Sequence, residues 1–234
     1  MNRVLCIYPK DPTTEFLRPV YNDICEKPNV VGLELDTIED DFFLDKLSRH
    51  LAEADIVYFI GHGSSTCLYG TNLNPLIDDK MGNLCELQNK SLVLFACRSS
   101  EFISNHQFQD SLGFGFIPTS LDDVRDGVLH NLKLKDIDSS AIYMFQQSIV
   151  HIWQRMLREV PLEQLSDISN VFRFYTNCEI VEALSHCKTY PDYKTVADML
   201  YYLKEDMIYF NKNQKQMTSQ QKKNITDNAN QASP

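Results

Sequence analysis

At 234 residues, 43% apolar and 11% aromatic, the chain has material for one domain with a sizeable core, or for one domain and an extension. Acidic side chains outnumber basic ones 32 to 22, and residues 211–234 hold four of the Lys and one of the Asp, so the preceding body carries a net −13. Such a balance argues against nucleic acid as a partner and suits a cationic peptide, and without a run of roughly 18 apolar residues no membrane-spanning helix is expected.

Arg3 to Tyr8 reads as a first strand, closed by Pro9 and the turn formers Asp11-Pro12. Thr13 or Thr14 can cap a helix running to about Glu26, with Pro19 disturbing its first turns. Val30 to Leu35 is a second strand. Asp40 to Ala54 is an amphipathic helix, with Phe43, Leu44, Leu47 and Leu51 at helical spacing and acids in the first turn. Ile56 to Ile60 is apolar throughout and rich in β-branched and aromatic residues, as a strand buried on both faces should be. The resulting β-α-β-α-β order predicts a parallel sheet with right-handed crossovers.

Ser64 to Asn89 is dense in turn residues and predicts a long loop with a short helix near Leu84 to Gln88. Leu92 to Ala96 repeats the buried-strand pattern, Ser99 to Ser111 can form a helix, and Gly113 to Pro118 reads as a fifth strand. Beyond Asp136 the apolar period becomes 3.6. Ile142, Phe145, Ile149, Ile152, Trp153, Met156 and Leu157 form one face of a helix ended by Pro161, followed by helices over Leu165 to His186 and Val196 to Phe210. The division expected is an α/β core over 1–135, a helical part over 136–210 packed on or beside it, and a disordered Asn-, Gln- and Lys-rich tail over 211–234.

Seven cysteines, at 6, 25, 67, 85, 97, 178 and 187, are odd in number and contain no CxxC pair. They fit reduced thiols rather than a disulfide framework or a zinc site. The opening Met1-Asn2-Arg3 leads straight into a strand pattern without the apolar stretch of a secretory leader, so a cytoplasmic protein is expected. No metal-ligand spacing links the histidines and cysteines, and no third glycine follows Gly113-Phe114-Gly115, so neither metal nor other cofactor is expected.

The stretch from Ile56 to Glu101 holds one arrangement twice. An apolar strand ends in Gly61-His62-Gly63, and a second ends in Ala96-Cys97. Open α/β sheets place their sites just beyond the carboxyl ends of the strands, so the two strands deliver a His and a Cys to one edge. A Cys-His hydrolase needs a thiolate, a base or ion-pair partner and oxyanion donors. Cys97 is the candidate nucleophile and His62 its partner, and Gly63 lets backbone approach a substrate closely. If Cys97 sits where strand becomes helix, the helix N-terminus would lower its pKa.

The pattern of apolar run, Gly61-His62-Gly63, apolar run, Ala96-Cys97 resembles the caspase-like cysteine peptidases of clan CD, most closely the bacterial CHAT-domain peptidases, over about residues 1 to 125. The resemblance implies a mainly parallel sheet flanked by helices, a His62–Cys97 dyad, and an oxyanion hole from the backbone N–H groups of Gly63 and Cys97. It also implies control by a regulatory protein partner or by self-association, in a bacterial stress, defence or signalling module. The caspase Gln-Ala-Cys-x-Gly signature is not met: Phe95 replaces Gln and Ser99 stands in place of Gly. Phe95 also occupies the place of the metacaspase acid that selects a basic P1 residue. Asp122 and Asp123 could supply such a pocket, or could be solvated loop acids. Cys67 and Cys85 lie in the loop near the proposed site. The alternatives are a catalytically silent scaffold on the same fold, and a receiver- or TIR-like signalling domain.

Overall fold

The computed structural model describes residues 2–36, 41–78, 84–106, 108–124 and 137–212, with the backbone alone over 41–44. Six strands form one sheet in the order β2-β1-β3-β6-β7-β8. They are β1 (Val4–Pro9), β2 (Val30–Leu35), β3 (Ile56–Ile60), β6 (Ser91–Phe95), β7 (Asp110–Gly113) and β8 (Ile208–Asn211). The first five are parallel and β8 is antiparallel to β7. Helices cover both faces, so the mixed α/β class with a mostly parallel sheet is the one expected.

Alternation along each strand sorts the core into two halves. Cys6, Tyr8, Tyr58, Ile60, Val93 and Phe95 point to one face, where helix Arg18–Cys25 and the three helices Ser139–Glu159, Leu165–His186 and Asp192–Glu205 cover them. Leu5, Ile7, Val57, Phe59, Leu92 and Leu94 point to the other, against Leu47 and Leu51 of helix Asp41–Glu53 and Phe102 and Ile103 of helix Ser99–His106. The C-terminal helices thus share a core with the sheet. Phe95 of β6 lies 5.3 Å from Trp153 and 4.7 Å from Phe114, both edge-on, the geometry that aromatic quadrupoles favour. The buried Tyr58 hydroxyl is satisfied by donating to the Leu162 carbonyl at 2.7 Å.

Several elements depart from expectation. Within the expected Ser64–Asn89 loop, β4 (Cys67–Tyr69) and β5 (Pro75–Asp78) pair as an antiparallel hairpin, and a short helix follows at Leu84–Leu87. The strand expected at Gly113 to Pro118 lies earlier, at Asp110–Gly113, and the helix before it stops at His106. The backbone after Gly113 is taken by that helix's start: Arg98 N–H donates to Gly115 O at 2.7 Å and Ser100 N–H to Phe114 O at 2.8 Å. The first helix begins at Arg18, with Pro19 in the first turn where a missing N–H costs nothing, after a 3-10 turn at Glu15–Leu17.

The last helix ends at Glu205, not at Phe210, and Ile208–Asn211 becomes β8, with Phe210 opposite Ser111. The helical part over 136–210 therefore returns one strand to the sheet, and Asn211, assigned to the tail, belongs to that strand. The open β7 edge offers this β-prone segment backbone partners along its length. Residues 213–234 of the expected tail lie outside the described residues. Among the described residues no helix is long and apolar enough to cross a membrane.

Candidate active site

From β1 the chain passes to β2 on one side and then to β3 on the other, which makes the crevice beyond the carboxyl ends of β1 and β3 the topological switch point. A cleft of about 540 Å³ opens there, lined mostly by the residue runs that follow the strands of the sheet. Asp11 and Thr13 follow β1, His62, Gly63 and Ser64 follow β3, Cys97 and Arg98 follow β6, and Phe116 follows β7. Tyr69 and Leu73 enter from the hairpin, and Asp123 from beyond Phe116. The strand register puts Ile60 beside Phe95, so His62 and Cys97 each stand two residues beyond a paired position.

The imidazole is held on the β1 side. His62 Nε2 lies 2.8 Å from Thr13 Oγ1 and 3.2 Å from Asp11 Oδ1, and Thr13 donates its hydroxyl to Asp11 Oδ1 at 2.6 Å and its N–H at 2.9 Å. Burial raises the Asp11 pKa, but the two Thr13 hydrogen bonds and the one from His62 outweigh it and leave the carboxyl below its ordinary value. An ionised Asp11 only accepts, so the Thr13 hydroxyl proton is committed to it and Nε2 must carry a proton of its own to complete the cluster. The assignment follows from this network. It leaves Nδ1 as the nitrogen that can exchange a proton with a substrate or a nucleophile.

The sulfur is held on the opposite side. Cys97 Sγ donates to Ile117 O at 3.0 Å and accepts from Ile117 N–H at 3.3 Å, and no hydrogen bond joins it to His62. Part of Cys97 reaches the cleft, but the thiol pKa is pushed up to about 12. Burial is the main cause and the Asp123 charge adds to it, against the Ile117 N–H and Arg98, which pull the other way. The expected lowering by a helix N-terminus is therefore overturned. Ser100 N–H and Arg98 N–H at that helix start are spent on Phe114 and Gly115, and no such donor reaches the sulfur.

Gly63 sits where a side chain does not fit: an added Cβ would lie 2.9 Å from Ala96 Cβ and 3.0 Å from Cys97 O. Its bridge to Leu68 is closed by the flanking bonds Tyr69 N–H to His62 O and Ser64 N–H to Cys67 O, so Gly63 itself lies in a non-hydrogen-bonded position. Neither the Gly63 nor the Cys97 N–H finds an acceptor among the described residues. Arg98, next to the sulfur, has φ 55°, an uncommon value outside glycine, and its guanidinium is paired with Glu101 at 2.7 Å.

Comparison with protein-family models, curated proteins and solved structures finds no match to this chain.

The structure thus brings His62, Gly63 and Cys97 to one cleft and separates the two acids. Asp123 lines the cleft, with its Oδ2 accepting from Thr119 N–H at 2.9 Å and from the Thr119 hydroxyl, whereas Asp122 is exposed and not part of the lining. Cys67 is buried in the hairpin with a pKa raised by that burial, and Cys85 is exposed; neither lines the cleft. Sequence reasoning missed Asp11, Thr13 and the Ile117 backbone. Asp11-Pro12-Thr13 carries the signature of an Asx turn, and its place after β1, the parallel neighbour of β3, was the signal that could have found it. Among the described residues no group of three or more His, Cys, Asp or Glu side chains is placed to share a metal ion.

Proposed function

We propose that this chain is a cysteine endopeptidase resembling the caspase-like peptidases, acting in the cytoplasm under the control of a protein partner or of self-association. One observation carries the proposal: His62 and Cys97 open into one cleft at the switch point of a parallel sheet, beside two N–H groups without acceptors among the described residues. In the reaction, the Cys97 thiol gives its proton to His62 Nδ1 and the sulfur attacks the scissile carbonyl carbon. The oxyanion is met by the N–H groups of Gly63 and Cys97. His62 then protonates the departing amine as the C–N bond breaks, and water releases the acyl group from the sulfur. Asp11 and Thr13 keep Nε2 protonated and the ring oriented. Seven free cysteines support a reducing compartment.

The resting geometry is that of a latent enzyme. The thiol must leave Ile117 before it can reach His62, and a substrate or partner that displaces the Phe116-Ile117 segment would release it. The test is a library of peptide acyloxymethyl ketones offered to the full chain, alone and in its native extract, with adducts mapped by mass spectrometry. An adduct on Cys97 that is lost in His62→Ala supports the proposal. Turnover unchanged in Cys97→Ala overturns it. A second reading, a scaffold whose dyad is silent, is favoured by the raised thiol pKa and the missing His62–Cys97 bond. It predicts no adduct on Cys97 under either condition.

A further inference from the structure

A second pair of thiols lies away from the cleft, on the β2 edge of the sheet. Cys6 of β1 is fully buried and stands opposite Gly32 of β2 in the strand register. Cys25 closes helix Arg18–Cys25, which crosses this face, and is half-buried. Gly32 is exposed, and the space its missing side chain leaves is where Cys25 points: a Cβ there would lie 2.7 Å from Cys25 Sγ and 2.6 Å from the Tyr21 hydroxyl. The half-buried Cys25 therefore sits beside an exposed position of the sheet edge, next to its fully buried neighbour. Cys25 Sγ thus lies against the register partner of Cys6, with the Tyr21 hydroxyl beside it, and the Tyr21 ring is fixed by stacking on Tyr8 at 5.2 Å.

We propose that Cys6 and Cys25 form a peroxide-reactive dithiol, in which Cys25 is the attacking sulfur and Cys6 the resolving one. The chemistry balances with a hydroperoxide as the oxidant. The Cys25 thiolate attacks the nearer peroxide oxygen, the O–O bond breaks, and Cys25 becomes a sulfenic acid while hydroxide leaves and takes a proton to become water. The Cys6 sulfur then attacks the Cys25 sulfur, the S–O bond breaks, and a second water leaves with the Cys6 proton. Two thiols are oxidised to one disulfide and one hydroperoxide is reduced.

The charge pattern suits these roles. The hydrogen bond from Cys6 is the main cause that lowers the Cys25 pKa to about 7, with burial opposing it and Tyr21 assisting, while burial holds Cys6 well above its ordinary value. Cys25 is therefore the more readily ionised of the two, as the first step needs, and Cys6 attacks in the second step as its proton passes to the departing hydroxide. The pair is separate from the cleft that His62 and Cys97 line.

The test exposes the full reduced chain to one equivalent of hydrogen peroxide at neutral pH, followed by non-reducing digestion and mass mapping. The expected product is a Cys6–Cys25 disulfide, reversed by dithiothreitol. Cys6→Ser should accumulate a sulfenic acid at Cys25, trapped by dimedone, and Cys25→Ser should consume peroxide about tenfold more slowly. Gly32→Ala keeps both thiols but moves the Cys25 sulfur, and should cut the disulfide yield at least about fivefold. The proposal is overturned by oxidation spread evenly over the other cysteines, by peroxide consumption undiminished in Cys25→Ser, or by an undiminished disulfide yield in Gly32→Ala. The wild-type map needs no variant to fold, so it decides on its own.

Discussion

The resting state of Cys97 makes a quantitative prediction about its alkylation. Burial and the Asp123 charge push its pKa up to about 12 from the ordinary thiol value of 9.0. Each unit weighs about 1.36 kcal/mol against the thiolate, so the fold holds the anion back by about 4 kcal/mol, and the thiolate population at neutral pH falls about a thousandfold. The thiolate that does form is more nucleophilic, because reactivity follows basicity with a Brønsted slope of about 0.4–0.5, which returns about twentyfold. The net expectation is iodoacetamide alkylation of native Cys97 about fiftyfold slower than in the urea-unfolded chain at the same neutral pH. The assay is a pulse-alkylation series from pH 6 to 10, quenched, digested and quantified on the Cys97 peptide. The logarithm of the rate should rise with pH without a break across the whole series. A plateau between pH 8 and 9, or a native rate within a few fold of the unfolded one, would refute the account of a sulfur locked on Ile117.

Five further outcomes follow from named contacts. Asp11→Ala or Thr13→Val removes the partners that keep His62 Nε2 protonated, and kcat of the proposed peptidase should fall about a hundredfold with little change in KM, read on any peptide found to be cleaved. Because Asp11 has a folded pKa below its unfolded value, the hydrogen bonds its carboxylate accepts from Thr13 and His62 stabilise the fold above the unfolded carboxyl value and are lost as pH falls through the folded one. The wild type should therefore lose more stability than Asp11→Asn in acid denaturation below about pH 4, and equal acid sensitivity of the two would contradict it. Gly63→Ala forces a methyl group against Ala96 and Cys97 O, which should cost about 1–3 kcal/mol and lower the melting temperature by about 2–4 °C for each kcal/mol. Phe95→Ala removes the edge-on contacts to Phe114 and Trp153 and should cost about 3–5 kcal/mol. Trp153 is the single tryptophan, so its fluorescence should lose structure in the same urea transition as the far-UV signal; two separate transitions would show that helix and sheet do not share a core.

What the amino-acid order determined was local and periodic. The apolar runs ending at Ile60 and Ala96 specify buried parallel strands because nothing in them suits a solvated face, and the 3.6-residue spacing of Ile142, Phe145, Ile149 and Trp153 specifies a helix with one buried stripe. Strands of that kind carry their following residues to one edge, so the meeting of His62, Gly63 and Cys97 in one cleft was legible from spacing alone. The fates of the other residues depended on partners distant in sequence. Ile208–Asn211 is a strand only because β7 presents an open edge to it, and Gly115 and Phe114 leave the sheet only because the start of helix Ser99–His106 needs their carbonyls. The state of the site is likewise tertiary. A Cys at a strand end reads as an activated nucleophile, but its pKa is set by desolvation and by Ile117 and Asp123, 20 and more residues away, just as the proton on His62 is set by Asp11 and Thr13 across the β1–β3 seam. Hydrogen bonds and burial act through space, and composition fixes which groups exist but not which of them the folded chain leaves in reach of water.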